Sequence, residues 1–92
     1  MIISFIHKGI EDFFRTGNKK GIHPAHARKL QFQLTALDSS ATLSDMDIPG
    51  WGLHQLQGSR KNIWSISVNG NWRLTFKFSQ GNVELLNYED CH

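Results

Sequence analysis

The sequence predicts an α+β fold, an antiparallel sheet with N-terminal helices packed on one face. Three observations point to it. Apolar residues recur at spacings of three and four in the first half of the chain, the period of a helix buried along one side. The period changes to two after Trp51, as in half-buried strands. The breaks between the later segments are short and rich in Gly and Asn, which suits hairpins.

Residues 2–6 (IISFI) are β-branched and aromatic, and predict a short first strand. KGIEDFFRTG reads as a short helix ending near Gly17, a natural C′ residue. The polar NKKGI that follows is a loop. Pro24 suits the first turn of a second helix, where its missing N–H costs nothing. Ala27, Leu30, Leu34 and Leu37 mark that helix's buried face, and Ser39 and Ser40 end it. Residues 43–50 (LSDMDIPG) make a turn or half-helix closed by Pro-Gly.

The β-rich half can be read to the level of register. Residues 63–68 alternate, with Trp64, Ile66 and Val68 on one face. Residues 72–78 alternate too, with Trp72, Leu74, Phe76 and Phe78 opposed to Arg73, Thr75 and Lys77. A three-residue loop at 69–71 pairs Val68 with Trp72, Ile66 with Leu74 and Trp64 with Phe76, which gives one dry face; a two-residue turn would mix apolar and charged groups. Gly70 or Asn71 then takes positive φ. A turn at 79–82 pairs Phe78 with Val83, Phe76 with Leu85 and Arg73 with Tyr88, and residues 52–56 (GLHQL) add one more strand.

Composition sets the bounds. Ninety-two residues, 39% of them hydrophobic, are the size of one small domain, 1–92. Charged residues are 20% and the net charge is +2, which is not the signature of a disordered chain. No apolar run approaches the ~20 residues that span a bilayer. The N-terminal residues lack the pattern of a signal peptide, and the one cysteine, Cys91, excludes an internal disulfide. The expectation is a soluble cytoplasmic protein with no membrane partner. Lys19, Lys20, Arg28 and Lys29 form an early basic group and Arg60, Lys61, Arg73 and Lys77 a later one. Either a solvated face or a phosphate-contacting surface accounts for them.

The polar face of the sheet carries the candidate chemistry. Arg73 falls between Ser67 and Tyr88, His54 lies on the first strand of the hairpin set, and Asp90 and His92 follow the last strand. A guanidinium, imidazoles and a carboxylate on one surface suit a phosphodiester, which needs a base for the attacking hydroxyl, a cation for the phosphorane charge and an acid for the leaving oxygen. Plainer accounts exist for each: a half-buried strand histidine, a cross-strand arginine pair, a frayed terminus. His23 and His26 have a spacing that could bind metal, but the pattern gives them no carboxylate or thiolate partner.

Several further stretches make the pattern specific. They are Ile2-x-Ser4-Phe5-x-His7-Lys8-Gly9, Ala36-x-Asp38, Leu53-His54, Gly58, Trp64-Ser65-Ile66-x-Val68, Asn71-Trp72-Arg73-x-Thr75-Phe76, and Asn87-Tyr88-Glu89-Asp90 with His92. Together they resemble the HigB-type toxins of the RelE-like superfamily of bacterial toxin–antitoxin systems. The resemblance implies a RelE-like microbial RNase fold and ribosome-dependent cleavage of mRNA in the A site. The 2′-hydroxyl attacks the adjacent phosphorus, with no metal or other cofactor. It also implies a helix-turn-helix antitoxin, HigA-like, with operator DNA bound only through the complex. The family's active-site positions fall on His54, Arg73, Asp90 and His92, in matching residue types; which histidine is base and which acid stays open. Lys19, Lys20, Arg28, Lys29, Gln57 and Cys91 are candidate RNA contacts. Two of these depart from the pattern: relatives place a lysine at Gln57 and a tyrosine at Cys91. Those departures leave one alternative, a weak or inactive RelE-like module acting through antitoxin or DNA binding, and resemblance to the related gyrase-inhibiting branch leaves another, a gyrase-directed toxin.

Overall fold

The computed structural model describes residues 1–90. Two helices, α1 (Lys8–Thr16) and α2 (Ala27–Ser39), pack against a four-stranded antiparallel sheet. The strands are β1 (His54–Gln55), β2 (Trp64–Asn69), β3 (Trp72–Ser79) and β4 (Asn82–Asp90), in the spatial order of the chain.

Residues 2–6 are not a regular strand. They run beside β4 through two isolated parallel bridges, Ile2 to Val83 and Phe5 to Leu86. Asp38 Oδ1 accepts from the Ile2 N–H at 2.9 Å, which ties this segment to the end of α2. Helix α1 starts at His7, whose Nδ1 accepts from the Ile10 N–H at 3.1 Å, and stops at Gly17, with φ of 79°. Pro24 precedes α2 in a 3₁₀ turn, Pro24–His26, rather than opening the helix itself. Helix α2 buries Leu30, Leu34 and Leu37 as the spacing predicts, and Gln33 with them. The backbones of α1 and the loop before α2 touch: a Cβ on Gly9 would lie 2.5 Å from the Gly21 carbonyl oxygen. Ile10, Ile66, Leu74, Phe76, Val83 and Leu86 complete the core between helices and sheet.

The β2–β3 register is the expected one at Trp64–Phe76 and Ile66–Leu74, but Trp72 pairs with Asn69, across a bulge at Val68. Gly70 takes the positive φ, 57°. Gln33 Nε2 donates to the Ser67 carbonyl at 2.7 Å beside this bulge.

The β3–β4 register departs further from expectation. Phe78 pairs with Val83 and Lys77 with Glu84, but Thr75 pairs with Asn87, Leu74 with Tyr88 and Arg73 with Glu89. Leu85 and Leu86 together stand opposite Phe76, and Leu85 has φ of 55°. The physical reason lies in the faces. An unbroken ladder would send Asn87 and Glu89 into the core and Leu86 and Tyr88 to the polar side. The extra residue reverses the phase, so that Leu86 and Tyr88 are buried instead. The Ser4 hydroxyl accepts the displaced Leu85 N–H at 2.8 Å.

Candidate functional site

The candidate site is the sheet face turned away from the helices. Two rows of side chains cross it. His54 pairs with Ser65, Ser65 with Thr75, and Thr75 with Asn87. In the next row Ser67 pairs with Arg73 and Arg73 with Glu89. At ~4.8 Å between strands and ~3.3 Å per residue, the Cα atoms of His54 and Arg73 are roughly 12 Å apart. An imidazole and a guanidinium extended over that gap can address one phosphodiester.

His54 is exposed, and its Nδ1 lies 2.8 Å from the Gly52 carbonyl. A carbonyl only accepts, so Nδ1 carries the hydrogen and the neutral ring keeps its lone pair on Nε2. That is the tautomer a general base needs. Arg73 is half-buried, and its Nη1 donates to Ser67 Oγ at 3.4 Å. The Ser65 hydroxyl, in the first row, is buried with no hydrogen-bond partner among the described residues.

Glu89 replaces Tyr88 as the cross-strand neighbour of Arg73, because of the bulge at Leu85. Its carboxylate accepts from Arg60 Nη1 at 3.1 Å and Nη2 at 2.6 Å, and from the Thr75 hydroxyl. The Arg60 hydrogen bond is the main reason its carboxyl is held below the usual range, with Thr75 and Asn87 adding to it. Sequence reasoning passes over Glu89 and weighs Arg60 only as one of a basic group. The signal was there for Glu89: the doublet Leu85-Leu86 breaks the alternation of the strand.

Asp90 ends β4 and is exposed. It stands opposite Trp72, in the phase of Tyr88, and not in the row with Arg73. Cys91 and His92 lie outside the described residues. Gln57 is exposed, just ahead of the 3₁₀ turn Gly58–Arg60 that carries Arg60. Lys19 and Lys20 are exposed in the loop between the helices, and Arg28 and Lys29 on the first turn of α2. These four belong to the helical layer, across the sheet from His54 and Arg73.

Tyr88 joins a second cluster. Its ring packs at 4.5 Å from Trp72, and its hydroxyl lies 2.5 Å from His26 Nδ1. Burial, and then the nearby His23, push the His26 pKa down, while burial pushes the Tyr88 phenol up. The neutral imidazole therefore accepts and the phenol donates. Among the described residues no group of three His, Cys, Asp or Glu side chains is placed to hold a metal ion. No described helix is long and apolar enough to cross a membrane.

Residues 3–92 match the family model of the RelE-like toxin of the type II toxin–antitoxin system HigB. This chain belongs to the HigB-like toxin family. Two curated HigB relatives support the assignment. "Endoribonuclease HigB" of Proteus vulgaris is 38% identical over 92 residues, covering 100% of both chains. "Toxin HigB-1" of Vibrio cholerae serotype O1 is 33% identical over 94 residues, covering 100% of this chain and 98% of the relative. Among solved structures, a histidine-to-glutamine variant of YafQ from E. coli superposes with a TM-score of 0.58 at 19% identity. The match covers 98% of this HigB-like chain and 91% of YafQ, and it speaks for the fold.

Proposed function

We propose that this HigB-like toxin is a ribosome-dependent endoribonuclease that cuts mRNA in the ribosomal A site. The observation that carries the reading is the pairing on one sheet face of His54, with its Nε2 lone pair, and Arg73. The name of the Proteus vulgaris relative points the same way. In this mechanism an imidazole removes the proton of a ribose 2′-hydroxyl. The oxygen attacks the adjacent phosphorus, and the 5′-oxygen of the next nucleotide leaves with a proton from a second acid. The products are a 2′,3′-cyclic phosphate, or the 3′-phosphate after its hydrolysis, and a 5′-hydroxyl end. Arg73 offsets the charge gathering on the phosphorane oxygens. His54 serves as the base, and His92 and Asp90 supply the acid and its orientation. No metal or other cofactor enters the step.

A single domain spanning 1–92 works in the cytoplasm. Its partners are the small subunit of the ribosome and a HigA-like helix-turn-helix antitoxin, and it meets operator DNA only within the antitoxin complex. Lys19, Lys20, Arg28 and Lys29 hold ribosomal RNA from the helical layer, and Gln57 and Cys91 contact the message.

The test is incubation of one mRNA with the purified toxin, free and on programmed ribosomes, followed by mapping of the cut ends. Cuts that require ribosomes and end in a cyclic phosphate or 3′-phosphate support the reading. An intact message would leave the inactive module, and DNA breaks with purified gyrase would establish the gyrase-directed alternative.

A further inference from the structure

We propose that Arg60 is a second phosphate-binding residue, held over the polar face of the sheet by Glu89 acting as a positioning residue. The proposal rests on the ribonuclease reading above. Arg60 arises from the 3₁₀ turn between β1 and β2, at one side of the sheet. Glu89 is on β4, at the other side of the strand order. The two parallel bonds at 3.1 and 2.6 Å therefore draw the guanidinium across the face that carries His54 and Arg73. The same carboxylate accepts from Thr75, and its cross-strand neighbour is Arg73. The Arg60 guanidinium is thus held at a carboxylate that stands next to Arg73 across the strands.

A lone carboxylate there would repel a phosphodiester. Paired end-on with Arg60 it does two other things. It cancels its own charge, and it fixes the plane of the guanidinium. The end-on fork, Nη1 with Nη2, faces Glu89. The side-on fork, Nε with one Nη, has the geometry that grips a phosphate oxygen pair. Glu89 stays ionised at neutral pH because Arg60 holds its carboxyl low, so it is suited to positioning and not to proton donation.

The test is single-turnover cleavage on programmed ribosomes, with rate at saturation and half-saturation separated, for Arg60→Lys, Glu89→Gln and the double variant. Arg60→Lys keeps the charge and loses the fork, so the saturating rate falls at least about tenfold with half-saturation little changed. Glu89→Gln gives a similar fall without weaker binding, since it removes a negative charge. The double variant is no slower than the worse single one, because Glu89 acts through Arg60. A second arm uses Arg60→Ala with added methylguanidinium, which restores rate only while Glu89 is present. Unchanged saturating rates, additive losses, or rescue that ignores Glu89 would reduce the pair to a clasp on the 57–62 loop and overturn the proposal. A wild-type toxin that leaves RNA intact would instead defeat the ribonuclease reading itself.

Discussion

The Tyr88 hydroxyl joins β4 to the approach of α2. It donates to His26 Nδ1 and accepts from the His23 N–H at 3.4 Å. Tyr88→Phe leaves a buried imidazole nitrogen without its donor, a loss of about 1–3 kcal/mol. Urea denaturation reads it, and an unmoved midpoint would mean that the hydroxyl carries no weight in the fold. Tyr88 also marks a limit of sequence reading. Its type is compatible with either face of a strand, so only the position of the bulge decides between stacking on Trp72 and flanking Arg73. His54 and Arg73 needed no such information. Their strands alternate cleanly, and the dry face of each fixes where the polar residues go.

At the scale of the element, the bulge at Leu85 sets the chemistry of β4. Leu85 has a left-handed φ of 55° and is 43% exposed, so its side chain contributes little burial while its backbone is strained. Leu85→Gly should therefore fall within about 1 kcal/mol of the parent, and Leu85→Val, β-branched at positive φ, should cost more. Deletion of Leu85 gives an unbroken ladder in which Leu86 stands opposite Phe76 and Glu89 still opposite Arg73, so the buried face of β4 is kept and the folded state should persist. Thermal unfolding of the three variants checks this; a deletion that abolishes folding would show that the bulge does more than set the phase of β4. The helices were legible because each has a stop signal and a three-to-four spacing. The segment 2–6 was not, because β-propensity indicates an extended chain without saying how many ladder bonds it makes.

The whole molecule has two sides, a helical layer and a polar sheet face. Neutralising Lys19, Lys20, Arg28 and Lys29 should weaken ribosome binding and flatten its salt dependence, because each phosphate contact contributes to the slope. An identical slope would return these residues to a solvated surface. Stability should also depend on pH. Burial lowers the pKa of His7, and burial with the His23 charge lowers that of His26. Below about pH 6.5 the unfolded chain binds protons that the folded one refuses, so stability is full above that pH and declines as pH falls toward the lowered values. Urea midpoints between pH 8 and 5.5 should show the decline, and His7→Asn, which can still cap α1, should lessen it. A flat profile would contradict the assignment of both imidazoles as neutral.

The most direct test concerns the two residues at the centre of the sheet face. Single-turnover cleavage of ribosome-bound mRNA should fall by ~10²–10³-fold for Arg73→Ala, as on losing one donor to a developing oxyanion. It should fall by ~10²–10⁴-fold for His54→Gln, as on losing a general base. Both variants should keep the parent's melting temperature within a few degrees, since neither side chain lies in the core. Folded variants that cut at the parental rate would contradict the assignment of this face as the active site.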